Sequence, residues 1–130
     1  MAISIKGRWA LRETRRQITA LKAGAFTRDD GYIDVFAAWF TEPVTLVVMP
    51  EGEAGFIVNP DQLAEALQLE LDSPDRVVTI AIVSQNGEIW LAQPGHVRQL
   101  TTDKGLLTLD PSSFPLLEEV IGKPRTRRTA

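Results

Sequence analysis

The sequence predicts an α+β domain: a mostly antiparallel sheet of five to seven strands with two or three short helices. The sheet either closes partly into a barrel or stays open with helices on one face. Three observations lead there. Val77 to Val83 is apolar on both faces of an extended chain, the mark of a strand covered on both sides. Ser84-Gln85-Asn86-Gly87 then joins it to Glu88–Ala92, a hairpin signal because Asn-Gly tolerates the positive φ of tight turns. Helical spacing is confined to short segments separated by Gly- and Pro-containing breaks.

Taken in order, Ile3, Ile5, Gly7, Trp9 and Leu11 alternate with Ser4, Lys6, Arg8 and Ala10, the period of a half-buried strand. Over Arg12–Ala23 the period changes. Leu11, Thr14, Ile18, Leu21 and Ala25 fall in one helical sector, Arg12, Arg15, Arg16, Thr19 and Lys22 lie opposite, and Gly24 sits where a helix ends. Asp29-Asp30-Gly31 is a turn. Tyr32–Phe40 fits helical spacing as well, but its β-branched and aromatic content favours a strand. Val44–Met49 and Phe56–Val58 are strands around the loop 50–55. Asn59-Pro60-Asp61 opens a helix that stops near Asp72-Ser73-Pro74, with Asn59 as cap and Pro60 in the first position. His96–Thr101 and Leu106–Leu109 read as a pair of strands. Ser113-Phe114-Pro115 starts a short helix that runs through Ile121 and stops at Gly122.

A length of 130 residues suits one core, so residues 1–122 read as a single domain and 123–130 as a flexible basic tail. There is no cysteine, which removes disulfides and thiolate metal sites and fits a reducing compartment. No stretch reaches the roughly 20 apolar residues of a membrane span, and no basic leader precedes an apolar run. The expectation is a cytoplasmic protein.

The net charge of −3 hides a segregation. Residues 1–28 carry seven Lys/Arg against Glu13 alone, and 122–130 carry four Lys/Arg and no acid. Between them, 29–121 hold three Lys/Arg against sixteen acids. Arg12, Arg15, Arg16 and Lys22 on one helical face, with Lys123, Arg125, Arg127 and Arg128 in the tail, are therefore the candidate site for a polyanion or an acidic partner. The plain alternative is pairing of the basic helix with the chain's own Asp29, Asp30 or Glu42. Trp9 lies near enough in sequence to stack on a base, but shares the apolar face of its own segment.

No catalytic residues are assigned. His96 is the only histidine and no Gly-x-Ser-x-Gly elbow exists, so a nucleophile with its base is not visible. One histidine and no cysteine cannot build the usual zinc sites. Asp29/Asp30 with Asp34, and Glu51 with Glu53, are carboxylate pairs without calcium-loop spacing. Gly52 and Gly55 sit in an acidic loop that lacks the P-loop lysine. No cofactor or metal is expected.

Phe56-Ile57-Val58-Asn59-Pro60, the strand pair of 77–92 and Lys104-Gly105-Leu106 resemble the order of elements in the flagellar assembly factor that binds flagellin. Gly31–Val35 followed by Gly55–Pro60 is similar to the N-terminal domain of SseB-like secretion enhancers. Each resemblance covers less than half the chain, and with two unrelated families matched equally no family is assigned. The leading expectation is a non-enzymatic adaptor, assembly or regulatory factor that binds another protein through surface contacts. The alternatives are a nucleic-acid-binding protein using the basic helix and tail, and a small carboxylate-dependent hydrolase.

Overall fold

A computed structural model of the chain describes residues 5–51, 56–57, 60–100, 108–109 and 113–123. Its elements run α1 (Ile5–Ala20), β1 (Gly24–Thr27), β2 (Ile33–Phe36), β3 (Val44–Pro50), β4 (Phe56–Ile57), α2 (Pro60–Asp72), β5 (Val77–Val83), β6 (Ile89–Ala92), α3 (Pro94–Leu100), β7 (Thr108–Leu109) and α4 (Leu117–Ile121). The main sheet has the order β1-β2-β3-β5-β6, and β4 pairs separately with β7. Every pairing is antiparallel except β3 with β5, which is parallel. The α+β class and strand count hold, but the sheet is mixed and open, not a barrel. The parallel pair follows from the connection: α2 lies between β3 and β5 in sequence, so the chain crosses over before β5 begins.

Helices cover both faces, not one. Alternate residues of each strand feed two cores. Val47, Met49, Val78, Ile80, Ile82 and Ala92 meet Leu63 and Ala66 of α2 and Val97 of α3. Ile33, Val35, Leu46, Ala81, Val83 and Leu91 meet Ala10 and Ile18 of α1 and Leu117 and Ile121 of α4. Strands sandwiched between helices bury side chains on both faces, and β5 does so with mostly apolar residues: Val78 to Val83 are all buried, Thr79 being the polar exception.

Two sequence expectations are overturned. The N-terminal segment is helix from Ile5, not a strand over Ile3–Leu11. A run of Ile5, Gly7, Trp9 and Leu11 satisfies a strand locally, yet Ala10, Thr14 and Ile18 continue a helical ridge that extends back through Gly7 and buries against the sheet. Ile5, inward in the strand reading, is 85% exposed. Similarly, Pro94-Gly95-His96 opens α3 instead of preceding a strand at His96; the proline fills the first helical position, and the Val97 amide donates to the Gln93 carbonyl. Among the described residues there are four helices, one more than the upper expectation.

The helix ending near Gly24 in fact closes three residues earlier. The Ala23 amide donates to the Ile18 carbonyl and the Lys22 amide to the Thr19 carbonyl, a Schellman closure with Lys22 at φ 70°. Gly24 is thereby free to start β1, an element the sequence reading missed. A side chain in this left-handed conformation is strained. Lys22→Gly should raise the unfolding free energy by about 0.5–1 kcal/mol in urea melts.

The two tight hairpins, β1–β2 and β5–β6, use one device. In Asp29-Asp30-Gly31 and in Gln85-Asn86-Gly87 only the glycine takes positive φ, 89° and 88°. The Gly31 amide donates to the Arg28 carbonyl and the Gly87 amide to the Ser84 carbonyl. Each is a three-residue loop ending in a left-handed glycine. The hairpin at Asn86-Gly87 is thus as expected, although Asn86 itself does not adopt positive φ. Residues 101–107 and 124–130 lie outside the described set, so neither the turn 102–105 nor the tail is placed.

Candidate functional site

Helix α1 lies on the sheet through Ala10, Thr14 and Ile18, with the Thr14 hydroxyl donating to the Ala10 carbonyl at 2.7 Å. Burying that ridge turns the opposite side to solvent. Arg8, Arg12, Arg15 and Arg16 are exposed there, within about 100° of helical arc at 100° per residue. Arg12, Arg15 and Arg16 stand where the sequence places them. Arg8 is the missing fourth: reading 3–11 as a strand put it in a different element, and only the continuous helix brings it one turn from Arg12. Lys22 is exposed beyond the helix end. Lys123 is exposed after α4, whereas Arg125, Arg127 and Arg128 lie outside the described residues.

Among the described residues the charges are not internally neutralised as a group. Arg16 alone pairs, its Nε 3.0 and 3.1 Å from the two Glu13 carboxylate oxygens. The hydrogen bond from Arg16 holds the Glu13 carboxyl below its ordinary range, so the pair stays ionised at neutral pH. Gln17 on the same helix donates its Nε2 amide to the Gly87 carbonyl at 2.6 Å and fixes α1 to the β5–β6 hairpin. Arg8, Arg12, Arg15 and Lys22 have no ion-pair partner among the described residues. The acids nominated as their internal partners are elsewhere engaged or unmatched. Asp30 binds Arg28 at 2.9 Å, while Asp29 and Glu42 have no cation within ion-pair distance among the described residues.

Of the carboxylates considered for catalysis, Asp34 and Glu51 make contacts that tie strands and turns together. Asp34 on β2 accepts from the Thr45 hydroxyl of β3 at 2.7 Å and faces Arg76 at 3.5 Å and Arg28 at 3.9 Å. Glu51 accepts the Gln85 amide at 2.7 Å and ties the end of β3 to the hairpin turn; Glu53 is outside the described residues. Tyr32, beneath the Arg28 guanidinium at 5.6 Å, donates to Glu65 of α2 at 3.4 Å, and burial pushes its phenol pKa upward. His96 is exposed on α3 with its ring edge-on to buried Phe114, centroids 5.3 Å apart. Among the described residues no three or more His, Asp or Glu come together as a metal site. No helix among them is long and apolar enough to cross a membrane.

Comparison with protein-family models, curated proteins and solved structures gives no match, so neither resemblance seen in the sequence gains support.

Proposed function

We propose that this protein is a non-enzymatic adaptor, an assembly or regulatory factor that docks an acidic surface of another protein on the basic face of α1. The observation that carries the reading is the row Arg8, Arg12 and Arg15, exposed and without an ion-pair partner among the described residues. Leaving like charges adjacent on a helix costs a few tenths of a kcal/mol per pair, so an arrangement with no counter-charge among the described residues favours an external one. Protein is preferred over nucleic acid as the partner on two grounds. Exposed Ile5 lies on the same side as the arginines, giving a mixed apolar and cationic face. Trp9, the candidate for stacking on a base, packs against the core cluster beneath α1 and is only partly exposed, which leaves less of its ring for a platform.

The reading is tested by changing Arg8, Arg12 and Arg15 to Glu together. Co-purification in low salt identifies a partner, and its affinity is then measured again with the variant, with poly-glutamate and a generic DNA duplex as reference probes. Binding of the acidic protein should fall by about tenfold or more for the triple reversal, with the melting temperature nearly unchanged, because surface ion pairs are individually worth about 0–1 kcal/mol. Tight, steeply salt-dependent DNA binding lost in the same variant would instead favour the nucleic-acid reading. A folded triple variant with unchanged partner affinity in low salt would sink both.

A further inference from the structure

On the side of the sheet that carries α1 and α4, two open hollows of about 820 and 320 Å3 adjoin at Leu21 and Glu118, which line both, and are taken together as the two parts of a surface groove. The larger part lies over Trp39, Phe40, Val44 and Val77; the smaller follows Ile89 and Leu116 toward Gly87. Its base is held in place: the Trp39 indole N–H donates to the Ile121 carbonyl at 3.0 Å and the Trp39 and Phe40 rings meet edge-on at 6.0 Å. Val77 and Val120, 41% and 45% exposed, leave apolar surface at its mouth that the fold itself does not cover.

Among the described residues the rim is mainly acidic. Glu42, Glu118 and Glu119 line the larger part and Glu88 the smaller, against the single amine of Lys123. None of these four carboxylates has an ion-pair partner among the described residues. An apolar trough with a carboxylate rim selects its occupant by both properties: apolar side chains for the floor, cations for the edge.

We infer that this groove docks a basic amphipathic segment of a partner protein. The chain's own residues 124–130 supply cations but no apolar side chain larger than proline to fill the floor. The α1 face of a second copy supplies arginines, yet its ridge of Ala10, Thr14 and Ile18 is spent on its own sheet and leaves Ile5 as its large exposed aliphatic residue. Anionic ligands meet repulsion at every part of the rim except Lys123. The groove uses none of the arginines of α1, so it stands apart from the reading given above. Together the two surfaces, opposite in charge, would let one small protein bridge two partners.

The test uses the whole chain and a fluorescent peptide of Leu and Lys at helical spacing, with a Leu/Glu peptide as control. Binding is followed by anisotropy and by the indole N–H resonances of the three tryptophans. The Lys peptide should bind and displace the Trp39 indole resonance, and the Glu peptide should not bind. Glu118→Lys with Glu119→Lys should weaken binding about tenfold or more, and the Arg8, Arg12 and Arg15 reversal should leave it unweakened. Should the double change lower the melting temperature by acting on α4, Glu42→Lys, which lies in the loop before β3, must weaken binding in its place. Binding that leaves Trp39 unmoved, or that survives the rim changes in a folded protein, overturns the proposal. Tighter peptide binding by a chain ending at Lys123 assigns the groove to residues 124–130. A Trp39 shift that grows with protein concentration alone assigns it to a second copy. Either result also overturns it.

Discussion

Replacing Ile80 or Ile82 by alanine should each lower the unfolding free energy by about 2–5 kcal/mol. Both side chains lie on β5, both are at most 1% exposed, and both belong to the core shared with α2 and α3. Truncation removes the transfer free energy of three carbons and leaves a hollow that the neighbours fill only in part. The neighbours here are constrained on two sides, because β5 is hydrogen-bonded to β3 along its whole length and to β6 over Ile80–Val83. Val77→Ala is the internal contrast. It belongs to the same strand but is 41% exposed at the groove, so its loss should be well under that of Ile80. Urea melts in which Ile80→Ala and Val77→Ala cost the same would show that β5 is not the centre of the structure.

Asp34→Ala should cost about 1.5–3 kcal/mol, the second large effect, although Asp34 is an acid on an outer pair of strands. Its side chain is 15% exposed and accepts from Thr45, itself fully buried, with Arg76 and Arg28 on its other side. Removing the carboxylate leaves the Thr45 hydroxyl without its acceptor. It also leaves Arg76, whose Nε is already buried without a hydrogen-bond partner among the described residues, with one fewer counter-charge. Asp34→Asn keeps an acceptor for Thr45 and should recover part of the loss. Equal destabilisation by alanine and asparagine would mean that the charge, not the hydrogen bond to Thr45, is what the site requires.

How much of this was legible beforehand differs from element to element. Where a segment's periodicity, turn residues and caps agreed, reading and structure coincide. β5 and β6 are joined at Asn86-Gly87, α2 begins at Pro60 and ends at Asp72, and α4 ends at Ile121 before Gly122, although it begins at Leu117 and not at Ser113. In such segments local chemistry is sufficient: a glycine that can take positive φ, a proline that suits only a first helical turn, or an apolar run too short for a buried helix. The basic face was legible in the same way for Arg12, Arg15 and Arg16, since their spacing is helical whatever the sheet does.

What the tertiary structure decided is what two local patterns shared. Ile5 to Leu11 satisfies period two locally, and only docking of Ala10, Thr14 and Ile18 on β3 and its neighbours selects the helix; Arg8 joins the site through that choice. The parallel pairing of β3 with β5 was likewise invisible, because an apolar strand carries no mark of its neighbour's direction. The groove is the extreme case. Trp39, Val77 and Glu118 are far apart in the chain, and no residue near any of them announces the others. Composition and spacing describe what each segment prefers alone. A surface built from the loop before β3, the start of β5 and α4 exists only once the sheet order has placed their ends together.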